Sequence, residues 1–385
     1  MPRLGVIIVF LGLVLSVIGG LHYYFWARLV RDTALAAPWR QIATAGLWML
    51  ALSIPVSMVL HRGRLAIGRI VAWPAFVWMG MLGILATTLL AADVIRLLVH
   101  IAGGMADPER RLLVERVLGA TAATVAASLS AFALREGTKR VAVREIEVAL
   151  GRLPKQLDGF TIVQLTDVHV GGRTIDRPFI EKMVATSNAL APDLIAITGD
   201  LVDGKVSDLH HHVEPLGSLQ ATHGVYFVTG NHEYYSGPDE WLAHLRTLGV
   251  RVLRNERVAI GHGAESFDLV GVDDYNADGF PGHGPDLAGA VAGRDPAREL
   301  VLLAHQPREV HRAAAHGVGL QLSGHTHGGQ IWPWSYAVKL QQPYVAGLIR
   351  HSTTQLYISR GTGYWGPPMR LGAPAEITRI RLRAV

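Results

Sequence analysis

Nine polar residues suited to metal binding or proton transfer follow short apolar runs in the second part of the sequence. They are Asp167, His169, Asp200, Asp203, Asn231, His232, His305, His325 and His327. Carboxylate oxygens and neutral imidazoles are ligands that divalent Mn, Fe and Zn accept. Alternate residues of an extended segment point the same way, so an Asp-x-His or His-x-His pair can face one ion or two adjacent ions. One such pair is weak evidence, but the ordered set predicts a metal centre.

The segments around these residues predict strands that alternate with helices. Each motif follows a run of apolar and β-branched residues, at 160–165, 193–198, 225–229, 299–304 and 320–323. Helical patterns lie between several of these runs, at 178–190, 238–248 and 308–316. Alternation of this kind predicts an α/β domain, in which ligands collect beyond the carboxyl ends of the strands.

The order of the motifs resembles that of a known family. The motifs are Asp167-x-His169, Gly199-Asp200-x-x-Asp203, Gly230-Asn231-His232-Glu233 and Gly324-His325-x-His327. Over about residues 158–385 they resemble the calcineurin-like metallophosphoesterases. The continuation Gly328-Gly329-Gln330 and the glycine- and proline-rich tail at 359–374 resemble a subgroup of bacterial phosphohydrolases that often carry several membrane spans. The resemblance implies a four-layer α/β/β/α sandwich that carries a dinuclear metal centre.

The resemblance also implies roles for the nine residues. One divalent ion (Mn, Fe or Zn) would be held by Asp167, His169 and His327, and a second by Asn231, His305 and His325. Asp200 would bridge the two ions. Five other histidines also lie between the third and last motifs, but His305 alone directly follows an apolar, strand-like run; the others are His244, His262, His283, His311 and His316.

Two further residues are expected to act beside the ions. His232 would protonate the leaving oxygen or stabilise charge in the transition state. Asp203 would accept a hydrogen bond from His232 and fix its tautomer. As an alternative, Asp203 and Glu233 are no more than helix or turn caps.

The first 134 residues are predicted to form about four transmembrane helices. Runs without charged residues occur at 4–26, 41–60, 70–92 and 117–134, and about 20 residues suffice to cross the hydrocarbon core. Four spans place both ends on one side, and a count of eight short-loop positive charges against seven leans towards a cytoplasmic catalytic domain. Together with the resemblance to bacterial phosphohydrolases, these spans lead us to expect an integral protein of the bacterial inner membrane. Residues 135–157 are predicted to be a linker, and 158–385 the metallophosphoesterase domain.

Composition narrows the range of chemistry and partners. The chain has 385 residues and no cysteine, which excludes thiol nucleophiles and cysteine-ligated metals. The net charge of +5 comes from the first 134 residues, which hold 11 arginines and 5 acidic residues. The remaining 251 residues hold 25 basic and 26 acidic residues, so the domain has no basic excess for binding nucleic acid.

These observations predict a membrane-anchored hydrolase of a phosphodiester, pyrophosphate or phosphomonoester bond. The membrane tether favours a lipid-linked substrate. Six aromatic residues near the last motif also favour a membrane interface, although packing at the edge of the sandwich is an equal alternative; they are Trp332, Trp334, Tyr336, Tyr344, Tyr364 and Trp365. The alternative function is a catalytically idle membrane sensor or scaffold that binds metal and a phosphorylated ligand.

Overall fold

The computed structural model describes residues 4–62, 66–103, 105–139, 141–172 and 174–385. The chain divides into a helical unit and an α/β unit. The helical unit comprises the residues up to Arg135 together with Pro367–Met369, and the α/β unit comprises Glu136–Gly366 and Arg370–Val385. Three arginines that enter the count of loop charges lie outside the described residues, namely Arg3, Arg64 and Arg140.

The helical unit contains four long helices, which lie over the four predicted apolar runs. They are α1 (Leu4–Trp26), α2 (Trp39–Arg62), α3 (Ala66–Ile101) and α4 (Pro108–Thr138). In the described part of the chain, three helical stretches are long and apolar enough to cross a membrane: Leu11–Arg31, Ala72–Ile101 and Pro108–Thr138. Large apolar side chains such as Ile101 are exposed on these helices, as expected for contact with lipid. The helices indicate a membrane protein.

Two six-stranded sheets form the centre of the α/β unit. The first has the order β1-β12-β2-β3-β4-β5 and the second β10-β11-β9-β8-β7-β6, where the strands are β1 (Ala142–Leu150), β2 (Thr161–Leu165), β3 (Leu194–Thr198), β4 (Val225–Val228), β5 (Arg251–Val252), β6 (Glu256–His262), β7 (Glu265–Gly271), β8 (Leu300–Leu303), β9 (Leu320–Ser323), β10 (Gly347–His351), β11 (Thr354–Ile358) and β12 (Glu376–Ala384). Strands β2 to β5 run parallel to one another, as do β7, β8, β9 and β11. The helices of this unit are α5 (Arg177–Ala189), α6 (Val206–Val213), α7 (Asn231–Ser236), α8 (Pro238–Thr247), α9 (Leu287–Ala290), α10 (Val310–Ala315) and α11 (Ser335–Val338).

Alternate residues of the central strands enter different cores, which gives the unit four layers. In β2, Ile162 packs between the sheets with Phe267 of β7, whereas Val163 packs with Ile180 of α5. On the far side of the second sheet, Leu302 of β8 packs with apolar residues of α9 and α10. A strand that is buried on both faces is mostly apolar. All four residues of β8 are apolar, as are three of the five in β2, where the buried amide of Gln164 donates to the hydroxyl of Thr198 over 2.8 Å. The structure confirms the four-layer α/β/β/α sandwich that follows the helical region.

The segment 135–157 differs from an open linker. Helix α4 ends at Thr138, and Ala142–Leu150 forms strand β1, which pairs in parallel with β12 over nine residues. Strand β1 carries charged residues at Arg144, Glu145 and Glu147, and Val148 and Leu150 enter the core between the sheets. The α/β unit therefore includes residues that precede the predicted boundary at 158.

Candidate metal centre

All nine candidate residues follow the carboxyl ends of strands that lie side by side. In the first sheet, Asp167 and His169 follow β2, Asp200 and Asp203 follow β3, and Asn231 and His232 follow β4; in the second, His305 follows β8, and His325 and His327 follow β9. The carboxyl ends of parallel neighbouring strands meet at one edge of a sheet. The side chains come together in three groups of potential metal ligands, which are Asp167 with His169 and His327, Asp200 with His305 and His325, and His169 with Asp203 and His232.

The backbone at five of these residues is left-handed, which is uncommon for residues other than glycine. The φ angles are 51° at Asp167, 56° at His169, 52° at Asp200, 70° at His325 and 50° at His327. Each such residue costs about 1 kcal/mol or more and persists where the surroundings determine it, often at functional sites. The backbone strain is therefore concentrated at residues whose side chains face one another.

The first donor group contains Asp167, His169 and His327, all of which are buried. The Nε2 atoms of the two histidines lie 3.0 Å apart, and Nε2 of His327 is 3.5 Å from Oδ1 of Asp167. Burial lowers the pKa of His327 well below its ordinary range. The His327 ring is therefore neutral, which is the form that binds a metal.

The second donor group contains Asp200, His305 and His325. Nε2 of His305 lies 3.0 Å from Oδ2 of Asp200 and 3.2 Å from Nδ1 of His325. The Nδ1–H of His305 donates to the carbonyl oxygen of Thr198 over 2.8 Å, which leaves its Nε2 free as a donor atom. Burial lowers the pKa of His325 to about 3, so this ring too is neutral.

Asp200 lies between the two groups, and Asn231 adds an amide oxygen. Oδ2 of Asp200 is 3.0 Å from His305 and 3.9 Å from Nε2 of His169, so one carboxylate faces both groups. Oδ1 of Asn231 is buried and has no hydrogen-bond partner among the described residues. A buried polar atom left unpaired is costly, and a divalent cation would satisfy it. The donor set of oxygens and imidazole nitrogens therefore fits divalent metal ions.

His232 lies beside these groups with its side chain partly exposed. Its Nδ1 is 2.6 Å from Oδ1 of Asp203, which is also 3.0 Å from Nδ1 of His169. Burial lowers the pKa of His232, but the hydrogen bond to Asp203 and the charges of Asp200 and Asp203 outweigh it and raise the pKa to about 9. The edges of the Tyr235 and Trp365 rings adjoin the imidazole. The ring is thus held in its protonated form at neutral pH, next to the donor groups.

Glu233, which the sequence suggests only as a cap, holds the loops that carry Asp200 and Asn231. The carboxylate of Glu233 is fully buried. It accepts backbone N–H bonds from Gly230 over 2.7 Å, Leu201 over 2.8 Å and Asp200 over 3.0 Å. Burial and the charge of Asp200 raise its pKa to about 7. The sequence signal was present, since a Glu three residues after a helix start typically bonds back to the first turn.

We expect Glu233→Gln to weaken metal binding without unfolding the protein. Both oxygens of the Glu233 carboxylate accept backbone N–H bonds. In glutamine an NH₂ group replaces one of these oxygens, so the N–H groups bonded to that oxygen would lose their acceptor. Loss of such a supporting contact typically reduces metal affinity by about 10- to 100-fold. Titration of the metal-free protein with Mn²⁺ measures the effect. The exposed Glu214, which pairs with Arg177 over 2.7 Å, provides the control Glu214→Gln; equal affinity in the two variants would contradict the role.

Close approach of the backbone requires glycine at two of the motifs. A Cβ atom at Gly199 would lie 2.5 Å from the backbone nitrogen of Gly230 and 2.8 Å from Nδ1 of His305. At Gly324 it would overlap the carboxylate of Asp167 and the hydroxyl of Thr166. The glycines before Asp200 and His325 therefore let neighbouring loops pack against one another.

Arg370 is a second supporting residue whose role the sequence did not reveal. Its guanidinium is fully buried and donates to the carbonyl oxygens of His327 over 3.1 Å, Arg360 over 2.7 Å and Ala373 over 3.0 Å. It also donates to the carbonyl oxygen of Gly363. The glycine-rich tail is thereby fastened to the loop that carries His327.

Comparison with known proteins agrees with this arrangement. The profile of the family described as Calcineurin-like phosphoesterase matches residues 160–329. A "Transmembrane protein with metallophosphoesterase domain" of Bos taurus is 43% identical over 295 residues, which cover 74% of this chain and 66% of the relative. An "Uncharacterized metallophosphoesterase" of Helicobacter pylori is 42% identical over 249 residues, which cover 64% of this chain and 65% of the relative. The matches thus span slightly less than two thirds of these two relatives.

A third relative covers the whole chain. An uncharacterized metallophosphoesterase of Campylobacter jejuni is 30% identical over 387 residues, which cover 98% of this chain and 99% of the relative. The similarity therefore extends through the apolar helices as well as the α/β unit. With its ordered strand-end motifs and its two donor groups, the chain belongs to the calcineurin-like metallophosphoesterase family.

Proposed function

We propose that this protein is a membrane-anchored phosphohydrolase with a dinuclear metal centre, which cleaves a phosphodiester, pyrophosphate or phosphomonoester bond. The observation that carries the proposal is the position of Asp200, whose carboxylate faces both groups of donor atoms. A single ion would not need a carboxylate shared between two such groups.

Asp167, His169 and His327 would hold one ion, and Asn231, His305 and His325 the other. When bound, two divalent cations neutralise the charge of a phosphoester and lower the pKa of water. Asp200 supplies the shared carboxylate.

His232 supplies a proton. With a pKa of about 9 and Asp203 on its Nδ1, it carries the proton on Nε2 at neutral pH. That proton can pass to the leaving oxygen, and Asp203 keeps the ring oriented during the transfer. The alternative function, a sensor that binds metal and a phosphorylated ligand, would not need this protonated imidazole beside the donor groups.

Removal of the metal tests the proposal directly. The purified full-length protein, supplied with Mn²⁺, Fe²⁺ or Zn²⁺, is expected to contain about two ions per chain by elemental analysis. It should hydrolyse bis-p-nitrophenyl phosphate, lose that activity in a chelator and regain it when the ion is returned. Substoichiometric metal uptake, or hydrolysis that survives complete chelation, would refute the dinuclear mechanism. Metal-loaded protein that cleaves no member of a phosphoester panel would favour the sensor.

We also propose that the protein resides in the inner membrane of a bacterium with the α/β unit on the cytoplasmic side. With the four predicted spans, the count of loop charges supports this side by eight to seven. Because the chain has no cysteine, a single cysteine at the exposed Glu181 can report the side. A maleimide that does not cross membranes should label it only after the cells are opened, and labelling of intact spheroplasts would reverse the assignment.

A further inference from the structure

A cavity of about 580 Å³ lies in the segment between β9 and β10. Aromatic and aliphatic side chains form much of its wall, and one lysine adjoins them; they include Trp332, Tyr336, Lys339, Tyr344, Val345 and Ile349. The volume is within the range of small-molecule sites. Trp332 is 50% exposed and Tyr336 64% exposed. Exposed apolar side chains that cluster around a cavity are typical of a binding surface.

The loop that carries His325 and His327 holds the cavity from one side. The hydroxyl of Thr326, between the two histidines, donates to the carbonyl oxygen of Val345 over 2.5 Å. A Cβ atom at Gly329 would lie 2.5 Å from the backbone nitrogen of Ser335, a wall residue. The glycines after His327 therefore allow the cavity segment to pack directly on this loop.

The loop that carries His305 holds the same segment from a second side. The side-chain amide of Gln342 donates to the side-chain oxygen of Gln306 over 3.2 Å. The guanidinium of Arg308 donates to the carbonyl oxygen of Gln341 over 2.5 Å. Two of the ligand-bearing loops are thus bonded to the segment that forms the cavity.

On the basis of the function proposed above, we propose that this cavity binds the hydrocarbon part of an amphiphilic phosphoester whose phosphate lies at the metal centre. Three observations favour a hydrocarbon occupant. The wall contains mainly aromatic and aliphatic residues. The segment that forms it is hydrogen-bonded to a loop of the metal site. The chain also carries apolar helices, which place the protein in a membrane where amphiphilic substrates are available. Lys339 adds a charged residue to the wall, and its ammonium lies 5.7 Å from the centre of the Tyr336 ring.

The length of an alkyl chain on the substrate tests this site. The full-length, metal-loaded protein in nanodiscs is assayed with methyl, butyl and hexyl p-nitrophenyl phosphates. Each buried methylene contributes about 0.8 kcal/mol at most, so kcat/KM should rise by about 10-fold or more from methyl to hexyl. A flat series in the wild-type protein would overturn the proposal.

Variants locate the effect in the cavity. The double variant Trp332→Ser, Tyr336→Ser removes two wall residues that are already exposed, and it should reduce the chain-length dependence to about threefold or less. Trp334→Ser is the matched control, because Trp334 is 53% exposed on the same segment but is not among the described wall residues. Ala346→Trp, which fills the cavity, should act like the double variant. All three should hydrolyse bis-p-nitrophenyl phosphate like the wild type, and an unchanged dependence in both cavity variants would assign the occupant elsewhere.

A binding measurement separates failure of this inference from failure of the proposed function. If the protein hydrolyses no chromogenic diester, calorimetry with hexylphosphonate and methylphosphonate still reports on the cavity. Tighter binding of the hexyl compound, by about 10-fold or more, that the double variant abolishes would support the site. Equal affinities would overturn it whether or not the protein is an enzyme.

Discussion

Asp200→Asn is expected to reduce kcat for bis-p-nitrophenyl phosphate by about 10³-fold or more and to lower the metal content. Oδ1 of Asp200 accepts the backbone N–H of His232 over 2.9 Å, a bond that asparagine can keep. Oδ2, which faces His305 and His169, would be replaced by an uncharged NH₂ group that cannot bind a cation. Loss of shared charge stabilisation worth about 4 kcal/mol corresponds to that rate.

The measurements for Asp200→Asn are steady-state kinetics, elemental analysis and circular dichroism on the same preparation. Asp158→Asn is the matched control, since Asp158 is half exposed and pairs with Arg383 over 3.5 Å. We expect the control to behave like the wild type. A fully active Asp200→Asn protein that still binds about two ions would rule out the shared carboxylate.

His232→Asn is expected to reduce kcat by about 10²- to 10⁴-fold, the range typical of a lost general acid. Unlike the Asp200 variant, it should retain its metal, because the imidazole of His232 bonds to Asp203 and its Nε2 lies 3.9 Å from Asp200. An alcohol is a much weaker acid than p-nitrophenol, so an alkoxide leaving group depends more strongly on a proton from His232. The loss should therefore be larger for a diester with an alkyl leaving group.

The comparison of leaving groups distinguishes proton transfer from a purely structural role. A structural defect would lower both rates by the same factor and would reduce the metal content. His262→Asn provides the control, since His262 is exposed at the end of β6. Equal losses for the two leaving groups, or loss of metal in step with activity, would remove His232 from the role of acid.

The strands that precede the motifs could be predicted because each carries its own signal. Strand β2 occupies Thr161–Leu165 and β9 occupies Leu320–Ser323, within the predicted runs 160–165 and 320–323. Apolar residues occupy three of the five positions in β2 and two of the four in β9, and the polar motif residues follow each strand. Parallel pairing then brings their ends together, so the candidate residues could be collected from sequence alone. Which donors face each other, such as Asp167 and His327, depends on how the two sheets pack.

Elements that depend on distant partners gave no comparable signal. Strand β1 pairs with β12 more than 230 residues away, and charged pairs such as Arg383 with Glu147 join them over 2.8 Å. In the sequence, the charged residues of β1 are typical of a solvent-exposed linker. The buried bonds of Glu233 and Arg370 likewise go to backbone groups of other loops, which a linear reading does not reveal.

The aromatic residues after the last motif differ in their exposure to solvent. Tyr364 is 6% exposed and its hydroxyl lies 2.5 Å from that of Thr174, so it packs inside the unit. Trp332, Trp334 and Trp365 are at least half exposed. Packing inside the unit is therefore confirmed for Tyr364, whereas a membrane interface at the three exposed tryptophans stays a prediction.

The pairing of β1 with β12 limits where the protein can be cut to release a water-soluble enzyme. A truncation at residue 157, between the predicted linker and domain, would remove the edge strand β1 from the first sheet. The backbone N–H and C=O groups of Glu376–Ala384 that face β1 would then be unpaired. Exposed groups of this kind promote aggregation through pairing with another chain. A shortened protein that starts before Ala142 retains β1, so the backbone of Glu376–Ala384 stays paired.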